Sequence, residues 1–147
     1  YSADLLEPMI KSLRKLGSKS AWVVHGKDGT DEISISGPTK VLVLEDDKIS
    51  TIEISPNDAG LPVHPLGSII GGSPQENSRA LLSLLEGKHS AYRDTVLLNS
   101  AAALVIAKKV SSLKEGVKKS IESIDSGAAL NKLEHLIKLT SKVDNGK

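Results

Sequence analysis

The sequence predicts an α/β chain, mostly helical, with a few core strands and a β-hairpin. Three observations carry this. Lys40 to Ser55, "KVLVLEDDKISTIEIS", alternates apolar and polar residues in two halves around Asp46, Asp47 and Lys48, the pattern of two strands joined by a tight turn. From Ser73 onward, apolar residues recur at three- and four-residue spacing behind serine caps, the pattern of successive helices. The 147 residues are 39% hydrophobic and 25% charged, ordinary usage for about one domain.

In chain order, Ser2 to Leu16 predicts a helix: Leu5, Leu6, Met9, Ile10 and Leu13 share a face, Ser2 is a suitable N-cap and Gly17 a suitable stop. Pro8 lacks an N–H and is tolerated only in a first turn, which moves the expected start toward Glu7. "SAWVVH", Ser20 to His25, predicts a buried strand. The hairpin follows, one face carrying Val41, Val43, Ile52 and Ile54. Pro56 to Gly72 is punctuated by Pro and Gly and predicts an irregular surface crossing. "SPQE" then puts Ser73 at N-cap, Pro74 at N1 and Glu76 at N3, a capping box ahead of a helix running to about Glu86 and closed by Gly87. The Ala-rich segment from Ala91 to Lys109 is apolar around most of its circumference and belongs in the core. Ser112 and Glu115 repeat the cap spacing. A last amphipathic helix is expected from about Ser126 to Leu139, followed by a fraying "TSKVDNGK". For so many helices the strands are few: either the fold is mostly helical or its sheet partners lie elsewhere.

Composition narrows the function. With no Phe, one Trp and two Tyr, the core is aliphatic and there is little to stack on nucleic-acid bases. Nineteen basic against eighteen acidic residues give a net charge of +1, too small to steer the chain to nucleic acid or an anionic membrane. The absence of Cys removes disulfides, thiolate zinc sites and a cysteine nucleophile, and fits a reducing compartment. No run approaches the about 20 apolar residues of a membrane span, and no secretory leader pattern is present. A cytoplasmic protein is the default expectation. The chain opens on Tyr1 and enters a helix at once, as the middle of a longer protein would.

The candidate chemistry gathers in "VVHGKDGTDEIS". Asp31 and Glu32 are adjacent carboxylates in a Gly-flanked segment beyond the strand. In a regular strand they face opposite ways; in a loop both can turn to one point and hold a magnesium ion, which seeks oxygen ligands and keeps several waters. A solvated acidic turn is the competing reading. His25 reads as a hydrogen-bonded structural group, because His64, His89 and His135 lie at no metal-ligand spacing from it. Gly71 and Gly72 before a helix resemble a phosphate-cradling turn, but Ser73 already occupies that helix end, which favours punctuation. Arg93 and Asp94, at the entry to the Ala-rich helix, could fix a ligand anion or pair and cap, and the cap is favoured; Lys108–Lys109 and Lys118–Lys119 read as solvated faces. No P-loop, nucleophile elbow or dinucleotide fingerprint appears, and no residue is singled out as catalytic.

Taken together, "VVHGKDGTDEIS", "SGPTKV", "LLSLLEGKHSAYRDTVLLNSAAALVIA" and "SLKEGVKKSIESIDSGAALNKLEHL" resemble the C-terminal part of the anthranilate phosphoribosyltransferases of tryptophan biosynthesis. The likeness runs from Tyr1 to about Leu139. It implies a nucleoside phosphorylase/phosphoribosyltransferase-type α/β domain, of which residues 1–147 are the C-terminal part, lacking the upstream half and an N-terminal helical domain. It implies a homodimeric magnesium enzyme that moves phosphoribosyl from phosphoribosyl pyrophosphate to anthranilate. Asp31 and Glu32 match the family's acidic pair, which holds Mg2+ on the pyrophosphate. The family's Gly-Thr-Gly-Gly-Asp loop, its Lys-His-Gly-Asn segment and its anthranilate-contacting arginine have no counterpart in this sequence, so the resemblance also implies an isolated chain without a complete active site. Two rivals remain at this point: a related phosphorylase or non-catalytic homologue of the same superfamily, and a non-enzymatic interaction module in which Asp31 and Glu32 are ordinary solvated charges.

Overall fold

A computed structural model describes residues 2–141. The hairpin and the strand before it form one antiparallel sheet in the order β1 (Ser20–Gly26), β2 (Thr39–Glu45), β3 (Lys48–Ile54). Register is fixed by the turn at Asp46 and Asp47, whose φ angles of 47° and 65° are left-handed, as a two-residue hairpin turn with the right twist requires. Asp tolerates that region better than most residues, because its short side chain can bond locally.

Alternation along the strands sends side chains to two separate cores. On one face Val23, Leu42 and Leu44 pack against Leu6 and Ile10 of α1 (Leu6–Lys15). On the other, Val41 and Ile54, flanked by Trp22, Val24 and Val43, meet Leu97, Leu98, Ala101 and Ala102 of α3 (Ala91–Ile106), with Val117 and Ile124 of α4 (Leu113–Asp125) behind. The expected hairpin face is therefore present, except that Ile52, on the edge strand, is 40% exposed. The reading of the first strand as buried needs correction. Only Val23 and Gly26 are buried in β1, because among the described residues it pairs with β2 alone and its other edge is open.

The first helix also differs from the expected Ser2 to Leu16. Ala3–Leu5 winds as a 3-10 turn capped by Ser2, and the α-helix begins at Leu6. Pro8 is the reason: a proline ring collides with the carbonyl four residues back, here that of Asp4, so the segment before it cannot be α-helical. Between sheet and helices, Pro56–Ala59 and Leu66–Ile69 are further 3-10 turns in the irregular stretch.

The Ser73 capping box is fully made, and α2 spans Pro74–Leu85. Glu76 accepts from the Ser73 side chain and backbone, which hold its carboxyl below the usual value. α2 lies mostly on the surface, with Leu84 its one buried residue. α3 and α4 cross closely: a Cβ on Gly116 would sit 2.8 Å from both Cα and Cβ of Ala101. α4 is capped by Ser112, while Glu115 reaches back to Ser111 rather than to the cap residue itself. Gly127, at a left-handed φ of 77°, turns the chain into α5 (Ala128–Thr140), which buries none of its residues fully. Of the tail expected to fray, residues 142–147 lie outside the described residues. No helix among the described residues is long and apolar enough to cross a membrane.

Candidate functional site

The connection from β1 to β2, residues 27–38, is tied down by its own backbone. Gly26 N–H donates to Thr30 O and Lys27 N–H to Pro38 O, at 2.9 and 3.0 Å. Gly29, at φ 92°, makes the reversal that brings Asp28 back over Gly26. Gly26 must lack a side chain, since a Cβ there would overlap Thr30 Oγ1 and lie 2.5 Å from Asp28 Oδ1. Asp28 is the hub of the turn: Oδ1 accepts from the Thr30 N–H and hydroxyl, and Oδ2 from the Ser34 hydroxyl. Burial pushes the Asp28 carboxyl up, but the bonds from Ser34 and Thr30 outweigh it and hold it below the usual carboxylate range.

Beyond this hub, Ile33 and Ile35 plug into the α3 core, 2% and 0% exposed. Two polar tethers hold them there. The Asn99 side chain of α3 accepts from Ile33 N–H and donates to Ile33 O, both at 3.0 Å. His64 N–H donates to Ile35 O, and the His64 ring is itself held by Asp94 of α3 at 2.7 Å. The loop is thus a piece of core on its Ile33–Ile35 side and a rigid mount for Asp31 and Glu32 on the other.

Asp31 is exposed and faces a groove of about 430 Å³ between α1 and the open edge of β1, together with Leu5, Met9, Trp22 and Val24. Glu32 is half-buried. Burial, then the negative charges of Asp31 and Asp28, push its carboxyl above the usual value. Glu32 therefore sits in the field of two neighbouring carboxylates. Among the described residues, however, no group of three His, Cys, Asp or Glu is arranged to chelate a metal, and Asp28 is already committed to Ser34 and Thr30. The carboxylates the loop leaves uncommitted are Asp31 and Glu32, so any cation there would have a pair of protein oxygen donors at most. That fits Mg2+, which takes one or two protein carboxylates and fills its octahedron with water and phosphate oxygens; it does not fit a cation that needs an all-protein cage.

The other candidates resolve as follows. His25 Nδ1 is buried without a hydrogen-bond partner among the described residues, so the expected bonded structural role is not met at that nitrogen. The α2 N-terminus is filled by the chain's own groups: Gly72 N–H donates to Asn77 Oδ1, and Ser73 and Glu76 complete the box, leaving no phosphate cradle. Arg93 and Asp94 do not form the expected capping pair. Ser90 caps α3, the Arg93 guanidinium is buried and bonds Asp125 of α4 at 2.7 Å, and Asp94 turns to His64. Helical geometry explains the change, because neighbouring residues on a helix point about 100° apart. The Lys108–Lys109 and Lys118–Lys119 faces are solvated as expected. Sequence reasoning passed over Asp28 and Asn99. Asn99 carried one usable signal, a carboxamide inside an otherwise apolar helical run.

Residues 1–130 match the family described as "Glycosyl transferase family, a/b domain". The chain belongs to that family. Its α/β architecture agrees with solved glycosyl transferase family members. A Saccharomyces cerevisiae anthranilate phosphoribosyltransferase variant with Mg bound superposes at a TM-score of 0.88 with 32% identity, covering 97% of this chain and 42% of that one. The Thermus thermophilus anthranilate phosphoribosyltransferase superposes at 0.84 with 34% identity, covering 94% of this chain and 40% of that one. The S. cerevisiae enzyme has also been solved in complex with PRPP and Mg, at a TM-score of 0.87. Among curated relatives, the anthranilate phosphoribosyltransferase of Rhodopseudomonas palustris strain BisB18 is 50% identical over 141 residues, 96% of this chain and 42% of that protein. The chain thus spans well under half the length of these glycosyl transferase family relatives.

Proposed function

We propose that residues 1–147 are the C-terminal part of the α/β domain of an anthranilate phosphoribosyltransferase, a cytoplasmic and homodimeric enzyme of tryptophan biosynthesis, and that their contribution to the reaction is to hold Mg2+ on Asp31 and Glu32. The observation that carries this is the rigid loop presenting two adjacent carboxylates in a chain 50% identical to a relative named for that activity. The reaction transfers phosphoribosyl to the amine of anthranilate and releases pyrophosphate. When bound, the ion supplies positive charge against the departing pyrophosphate.

The protein's own part is positional. Asp31 and Glu32 hold and orient, and they need move no proton. Asp28 stays outside the donor set because its oxygens already accept three hydrogen bonds. Ile33 and Ile35, sunk in the core, keep the mount from swinging away with solvent.

The test is activity of the 147-residue chain alone and mixed with the separately expressed upstream half. Turnover of anthranilate with phosphoribosyl pyrophosphate and Mg2+ only in the mixture, lost with Asp31→Ala and Glu32→Ala, is the expected result. Turnover by the chain alone, or a well-folded mixture without activity, overturns the reading.

A further inference from the structure

We propose that Asn99 is a positioning residue that sets the aim of the Asp31–Glu32 pair; this rests on the reading of that pair as the metal holders. The Ile33 N–H belongs to the peptide group that leaves Glu32, and the Ile33 C=O to the next one. Peptide groups are rigid planes, so a side chain that bonds both fixes the two planes on either side of Ile33, the first of which leads out of Glu32. Asn99 bonds both, at 3.0 Å each, across 66 residues of sequence.

The carboxamide is itself locked. Its NH2 group also donates to Thr95 O, one turn back on α3. Reversing the amide would set its oxygen against two carbonyls and its NH2 against an N–H, so one orientation satisfies every partner. The helix carrying it is anchored by Leu97, Leu98 and Ala101, all buried. A rigid helix therefore reaches through one side chain to the backbone that carries a metal-holding carboxylate. Groups that orient metal ligands in this way commonly tune affinity about 10–100-fold.

The experiment uses the full-length enzyme carrying this chain and measures its Mg2+ requirement in two ways, by calorimetric titration of Mg2+ binding in the presence of pyrophosphate and by the Mg2+ concentration giving half-maximal rate. Asn99→Ser and the isosteric Asn99→Asp are compared with Glu32→Gln and with Leu44→Ala. Leu44 is buried on the α1 face, at the hairpin end of β2 and away from the loop, so its variant loses stability without touching the mount. Both Asn99 variants should raise the Mg2+ requirement roughly tenfold or more, with kcat largely recovered at saturating Mg2+, while Leu44→Ala leaves the requirement in place. Asn99→Asp separates aim from charge: an added carboxylate acting only by its charge would lower the Mg2+ requirement, and that result overturns the proposal. So does an unchanged requirement in both Asn99 variants, or an equal shift in Leu44→Ala. An unchanged requirement in Glu32→Gln overturns the reading of the metal site itself, and the role of Asn99 with it.

Discussion

Glu32 is kept in a place that disfavours its own charge. Its carboxyl is raised by burial and by Asp31 and Asp28, so the folded chain binds that proton more tightly than the unfolded chain does. Its contribution to stability is therefore unfavourable at neutral pH and is relieved as pH falls from above through the raised value. Glu32→Gln should raise the melting temperature slightly in EDTA at pH 7 and flatten the pH dependence of stability just above the usual glutamate range. A thermal melt showing equal or lower stability for the variant would contradict this. A cation bound there would offset the same unfavourable charge. At this scale the sequence was half legible. Adjacent acids in a Gly-flanked loop announced themselves, whereas the amide that pins them lies 66 residues away and no local pattern joins the two.

Among the elements, α3 and α4 approach closely at Gly116. Gly116 lets the two helices approach until an added Cβ would meet the Ala101 backbone at 2.8 Å. Gly116→Ala gains helix propensity but must part the helices, and overpacking a core costs about 1–3 kcal/mol. Propensity returns at most about 1 kcal/mol. Net destabilisation is expected, read as a lower urea midpoint with an unchanged slope; a higher midpoint would show that the helices can slide apart freely. Helix starts were legible because serine caps are local chemistry, as at Ser73 and Ser112. The partners of Arg93 and Asp94 were not, because a guanidinium crossing from α3 to α4 depends on packing that sequence spacing does not encode.

At the scale of the whole molecule, the three-stranded sheet is covered on both faces yet open at the β1 edge, where the groove with Leu5 and Met9 begins. Leu136, Ile137 and Leu139 of α5 are also more than half exposed, away from any core. An open edge and exposed apolar faces invite pairing. We expect the isolated 147-residue chain to self-associate, its mean mass by light scattering rising with concentration. A constant monomer mass over a wide range would refute this. The few strands beside many helices were visible in the sequence, and a chain spanning 42% of its relatives is consistent with that imbalance.

Trp22 lends that groove an optical property. It is the sole tryptophan of the chain, it stands half-buried on β1, and it lines the same groove as Asp31. Its emission colour depends on how much water surrounds the indole, so the spectrum acts as a built-in gauge of whether the groove is covered. An emission shift to shorter wavelength on adding a tryptophan-free form of the upstream half would report docking beside the acidic loop without any label.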